Sequence, residues 1–202
     1  LQRSNPAYED LLEAGAQGVI GDLKDRPSLN RACDGVDIVI TTANASLRGG
    51  EDTFESVDKY GTMNLIDAAK MAGVKQFIYV SAFGSNPQSP VPMIRYKGEC
   101  EAYLHNSGLT YTILKPNIFT EVWVGAVIGI PLKVRKPITL VEGGKKRHSF
   151  ISVGDVAAVA VATVGNEDVY DQELAIGGSP SVTWTQIANM VGQTVGQSLE
   201  VN

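Results

Sequence analysis

Cysteine is almost missing from this chain. Of 202 residues only Cys33 and Cys100 are cysteines, with no Cys-x-x-Cys pair and no histidine cluster beside either. That excludes a disulfide framework and a thiolate metal site, and it agrees with a reducing, cytoplasmic setting. Long apolar runs are missing too. Nothing reaches the roughly 18 to 20 consecutive apolar residues that span a bilayer; the run 122–134 is short and interrupted by Pro131, so it reads as a partly buried helix and loop. Nor is there an excess of positive charge. A net charge of -5 has the wrong sign for a nucleic-acid binder, which must neutralise phosphates. The one basic cluster, Lys145, Lys146, Arg147 and His148, follows Gly143 and Gly144 and reads as a solvated turn, with an anion contact as the alternative. An initiator Met and a charged leader are also lacking. Residues 1–5 read like the tail of a strand entering a turn, as though the sequence begins partway through a domain.

What is present is a core. At 44% hydrophobic, the chain can bury one good interior. Phe77, Ile78, Tyr79 and Val80 form a short, nearly unbroken apolar run, which suits a strand covered on both faces, as in a parallel sheet. Before it, Phe54, Val57, Gly61, Leu65, Ala68 and Ala72 recur at helical spacing, with Gly61 permitting close approach and Gly73 ending the helix. Further helices are expected over 6–14, 27–33 and 93–107, and further strands over 17–20, 36–41 and 111–114. Strands alternating with helices predict an α/β fold with a doubly wound parallel sheet. Beyond Phe119 the rhythm changes, with helices near 121–129, 156–164 and 184–195 and strands over 138–141 and 173–176. The expected organisation is one compact unit, in which residues 1–120 carry the sheet and residues 121–202 form a small C-terminal lobe.

Four predicted strand ends carry small or polar residues: Gly21-Asp22, Thr42-Ala43-Asn44, Ser81-Ala82 and Pro116-Asn117. A doubly wound sheet shows this pattern when a nucleotide lies across its strand ends, although turns alone also make strand ends polar. The Gly-rich turn between first strand and first helix that marks a dinucleotide site is absent. Truncation before residue 1 is the preferred explanation, since residues 1–5 stand where a second strand should end.

The ordered set of Arg3-Ser4, residues 21–25 (Gly-Asp-Leu-Lys-Asp), residues 57–69, residues 77–81, Lys97 with Glu101, residues 107–119 and residues 150–157 resembles the NmrA-like atypical short-chain dehydrogenase/reductases. The resemblance implies a Rossmann-like fold binding NADP(H) in preference to NAD(H). Arg3, with Ser4 beside it, would sit by the adenosine ribose, where a guanidinium can pair with a 2′-phosphate. Asp22 and Leu23 would flank the adenine; Ala43, Asn44 and Ser81 would line the cofactor at their strand ends. Lys97 would hold the nicotinamide ribose, and Pro116, Asn117 and Phe119 would lie by the nicotinamide ring. Substrate contacts would come from Phe83 and from the segment after Phe119, including Trp123, Val127 and Ile130, with the Arg147-His148 turn.

The departures matter as much. Where conventional short-chain dehydrogenases place a Tyr four residues before the Lys, this chain has Met93; Tyr96 lies about 100° around the helix. The usual Ser is Ala82 and the usual Asn is Asp58. Two readings remain. In the preferred one, the protein is an NAD(P)H-dependent oxidoreductase reducing a quinone or other conjugated small-molecule acceptor, protonated by water or Lys97. In the other, it binds NAD(P)H without turnover, as a redox sensor, regulator or assembly factor with a protein partner. A sugar-nucleotide epimerase is disfavoured, since epimerisation needs the phenol to remove a hydroxyl proton.

Overall fold

A computed structural model describes residues 6–46 and 48–202. By internal packing the chain divides into unit 1, residues 1–113 with 164–172, and unit 2, residues 114–163 with 173–202.

Unit 1 begins with helix α1 (Pro6–Glu13) and helix α2 (Arg26–Cys33), whose Pro27 sits in the first turn where its missing N–H costs nothing. Strand β1 (Ile38–Thr41) follows. Strand β2 (Gln76–Val80), buried at every position, pairs with it in parallel, Ile38 opposite Gln76 through Thr41 opposite Tyr79. Between them run a π-helical segment, Phe54–Gly61, and helix α3 (Thr62–Ala72). Thr53 and Ser56 cap that segment reciprocally, each side chain accepting from the other's backbone N–H. Gly73 closes α3 with φ +72, a conformation that favours glycine. Helix α4 (Pro92–His105) and strand β3 (Tyr111–Pro116) come next. The sheet order is β1-β2-β3-β5, with β5 (Gln172–Ile176) at one edge. It is a parallel, Rossmann-like α/β arrangement, as the alternation of strands and helices predicts.

The core of unit 1 gathers Leu29, Ile66, Ala69, Phe77, Tyr79, Cys100, Leu104 and Ile113. One polar residue is stitched into it. Gln76 is fully buried; its Nε2 donates to Thr112 Oγ1 and its Oε1 accepts from Gly165 N, so residues 164–172 are fixed to the sheet by satisfied hydrogen bonds. Gly61 does allow close approach: a Cβ there would stand 2.8 Å from Leu23 Cβ, and Asn64 Nδ2 donates to Leu23 O nearby.

Unit 2 carries helix α5 (Thr120–Val124), a π-helical turn (Gly125–Gly129) and helix α6 (Ile130–Lys133) in one continuous run. Strand β4 (Arg147–His148) pairs antiparallel with β6 (Val182–Thr183). Helix α7 spans Val153–Ala162, capped by Ser152, and α8 spans Trp184–Val195, opened by a Thr183–Gln186 capping box and closed by Gly196. Its core is Ile128, Ile138, Leu140, Ile187 and Ala188, with the Phe150 and Trp184 rings edge-on at 4.9 Å. Among the described residues, no helix is long and apolar enough to cross a membrane.

Four expectations are corrected. Residues 17–20 form no strand; Val19 and Ile20 are exposed, and no described strand provides the ladder that an extended segment needs. Residues 138–141 make only an isolated bridge, Ile138 with Val201, before the chain turns at Glu142, Gly143 and Gly144 with positive φ. The basic cluster is not wholly a turn, because Arg147 and His148 form β4. The helix before β2 is also rephased: beside Val57, Gly61 and Ala68, it is Asp58, Thr62, Ile66 and Ala69 that face inward, while Ala72 is exposed.

Candidate functional site

Two groups of residues in unit 1 carry chemistry. The first surrounds the C-terminal end of β2. Lys97, on α4, is only 8% exposed; its Nζ donates to Val80 O at 3.1 Å and stands 5.2 Å from the centre of the Tyr79 ring. Burial pushes this ammonium below its ordinary pKa, against the pull of the Asp58 carboxylate. Asp58 lies in the π-helical segment and is almost wholly enclosed. Its Oδ2 accepts from Ala45 N at 2.8 Å, while its Oδ1 is buried without a partner. Burial raises its pKa, opposed by the Ala45 N–H and by Lys97. One helical turn beyond Lys97, Glu101 accepts on Oε1 from both Ser81 Oγ and Ser85 Oγ. Cys100, between them, donates its thiol to Asp58 O at 3.2 Å, and burial pushes its pKa to about 12, which makes it an inert packing residue.

These buried charges hold loops. Asp58 fixes the loop after β1, Lys97 binds the last residue of β2, and Glu101 fixes the loop that follows it. Tyr96 cannot replace a phenol at position 93: its ring lies under Lys59 and Arg95, at 5.5 and 4.9 Å, while Lys97 turns to Tyr79.

The second group lines a cavity of about 350 Å³ formed by Gly21, Asp22, Leu23, Ala43, Arg48, Asp52 and Val57. Here the structure brings together Asp22, Leu23 and Ala43, three of the residues singled out in the sequence. Asn44 is exposed and uses its Oδ1 to accept from Ser46 N, shaping its own turn. Phe83 is 58% exposed. Arg3 and Ser4 lie outside the described residues. In unit 2, Pro116 is buried at the end of β3; Asn117 donates its N–H to Ile176 O and accepts on Oδ1 from Ile118 N. Phe119 caps α5, and Trp123 is 43% exposed.

Sequence reasoning missed Ser85, Arg48 and Asp52. Serine beside a strand end is too common to signal anything, and Arg48 and Asp52 lie in a glycine loop with no periodicity. Asp58 had one signal, an acidic residue on the inward face of an amphipathic helix, where an unpaired charge is rarely tolerated.

The cavity lies beside the loop that follows β1 and is walled by small, apolar and charged residues, Arg48 among them. The chain belongs to the NAD(P)H-binding family: the family model described by those words matches residues 1–167, in keeping with the NmrA-like resemblance. Among its relatives, the photosystem II assembly factor Ycf39 of Trieres chinensis is 28% identical over 192 residues, 95% of this chain and 59% of that protein. The NAD(P)H azoreductase of Xenophilus azovorans is 27% identical over 202 residues, 98% of this chain and 65% of that protein. The chain therefore spans about three fifths of the length of these relatives. In fold it is similar to the NADPH-dependent quinone oxidoreductase QOR2 of Escherichia coli, with a TM-score of 0.78 and 24% identity over 98% of this chain and 66% of that one.

Proposed function

We propose that this protein is an NAD(P)H-dependent reductase of a quinone or other conjugated acceptor, with NADPH preferred over NADH. The observation that carries the reading is the buried Lys97 without a phenol one turn before it, Met93 standing there instead. Such a site lacks the group that alcohol and ketone chemistry requires. A conjugated acceptor makes no such demand, because the oxygens of its reduced form can be protonated by water.

Bound NADPH would supply the hydride. Asp22, Leu23 and Ala43 line the cavity suited to adenine. Lys97 would donate to the hydroxyls of the nicotinamide ribose, and its hydrogen bond to Val80 O ties it to the C-terminal end of β2. Ser81 is tied to Glu101 and would face the cofactor with its backbone. By the family resemblance, Pro116, Asn117 and Phe119 would contact the nicotinamide, and Phe83 and Trp123 the acceptor. The NADPH preference rests on Arg3, and Arg3→Ala should lose NADPH affinity more than NADH affinity.

The test is NADPH oxidation, followed optically, across a panel of quinones. Turnover is expected, and Lys97→Met should weaken NADPH binding by tenfold or more, in line with the ~1.5–3 kcal/mol of a hydrogen bond to a charged group. Unchanged affinity would remove Lys97 from the site. Tight NADPH binding without turnover would favour a second reading, a cofactor-sensing assembly factor or regulator; the missing phenol and the similarity to Ycf39 support it.

A further inference from the structure

The 350 Å³ cavity of unit 1 has two kinds of wall. Leu23, Ala43 and Val57 offer apolar surface, with Gly21 adding backbone, while Asp22, Arg48 and Asp52 bring charge to its rim. That charge is linked. Lys24 Nζ donates to Asp52 Oδ1 and stands 4.0 Å from Asp22 Oδ2, and Arg48 Nη1 stands 3.5 Å from Asp52 Oδ2. Asp52 is thus shared between two cations, and one arm is much weaker than the other. The Arg48 contact is at the limit of a hydrogen bond, and its side chain is 56% exposed, so releasing it costs little. The backbone after it turns tightly: Gly49 and Gly50 have φ of +75 and +65, and Gly49 bridges to Asp52. Arg48 is therefore a long side chain, lightly held, on a turn shaped by its glycines at the mouth of a cavity.

A purine base is flat and neutral, with an electron-rich face. Apolar walls such as Leu23 and Val57 suit that face, and a guanidinium can stack over it while its edge stays hydrated; an ammonium is a compact point charge with no plane to stack. We propose that Arg48 leaves Asp52 and closes over the adenine of a bound dinucleotide, and that Asp52 is the catch holding it back while the cavity is empty. This rests on the reading above that a nicotinamide dinucleotide binds here.

The test is a calorimetric titration of the purified protein with NADPH and with adenosine 2′,5′-bisphosphate, which carries the adenine half alone. Arg48→Ala and Arg48→Lys should each weaken both ligands about tenfold, with the thermal midpoint unchanged. Asp52→Asn should tighten both several-fold by freeing Arg48. Full affinity in Arg48→Lys would mean that charge alone suffices and would overturn the stacking. Full affinity in Arg48→Ala would overturn the lid altogether, and unchanged or weaker binding in Asp52→Asn would overturn the catch. If the unsubstituted protein binds neither ligand, the dinucleotide reading itself fails and this inference with it; if it binds both and Arg48 is silent, only the inference fails.

Discussion

The two units bury different things. Unit 1 encloses Asp58, Gln76, Ser81, Lys97, Glu101 and Thr112, each tied to backbone or to another side chain. In unit 2 the one buried polar side chain among the described residues is Thr163, which caps α7 and donates to Ala160 O; its core cluster is aliphatic, with the Phe150 and Trp184 rings packed against it. Unit 2 also leaves Val122, Trp123, Ile130, Val134 and Val141 exposed. Burying ionisable groups is expensive unless they are paired or hydrogen-bonded, and such sites cluster where a protein does chemistry. The contrast therefore makes unit 1 the part whose interior gives up stability to hold polar and charged groups, and unit 2 the more conventionally packed one.

The largest effect should come from the glycine of unit 1 that stands closest to neighbouring backbone among the described residues. A Cβ at Gly98 would stand 2.7 Å from Asn86 C and Pro87 N, both backbone atoms. Gly98→Val should destabilise by about 3 kcal/mol or more, seen as a fall of roughly 6 to 12 °C in the calorimetric midpoint. A shift within 2 °C would mean that the loop after β2 yields, and that the buried cluster does not depend on it.

A smaller effect, of opposite sign, is expected at Asp58. Its folded pKa is raised by burial, so its contribution is fully present below the unfolded carboxylate pKa and is lost as pH rises through the folded value. At neutral pH, where the unfolded carboxyl ionises freely, burying this half-satisfied group is a liability. Asp58→Asn should raise the midpoint at pH 7 by roughly 2 to 4 °C, about 1 kcal/mol, with the gain vanishing near pH 3 to 4. A loss at pH 7 would show that the pull between Asp58 and Lys97 outweighs burial, and the contrast between units would lose its basis.

The smallest effect belongs to unit 2. Gly129 has helical angles, and an added Cβ would meet only Val124 O, at 3.8 Å. Gly129→Ala should stabilise by about 0.5–1 kcal/mol, read from denaturant midpoints. Destabilisation there would reveal a constraint in the α5–α6 run that packing does not show.

How much of this was legible depended on where each element takes its stability. Phe77 to Val80 announced β2 because a strand covered on both faces must be apolar throughout. Gly61 and Gly73 announced a close approach and a helix end, and the Lys97 position followed from the ordered family motifs. Residues 17–20 misled because a strand is defined by its partner, and a sequence pattern cannot guarantee one. Ile138 to Val141 misled for the same reason, the partner being a single bridge near residue 201. The Arg48–Asp52–Lys24 link joins side chains 4 and 28 residues apart in sequence, a coincidence of folding that no periodicity announces.

The π-helical segment Phe54–Gly61 has one more consequence. A π turn is an α turn that has absorbed an additional residue, so this stretch works as a phase shifter between the loop after β1 and α3. Taking one residue out between positions 54 and 57 would restore the ordinary pitch without disturbing α3. It would also swing the side chains upstream of the deletion about 100° around the axis, away from their present neighbours. Length here, counted in single residues, is thus part of the site's specification: two chains with the same inward-facing residues but one residue more or less in this turn would present different surfaces to the loop that Asp58 holds.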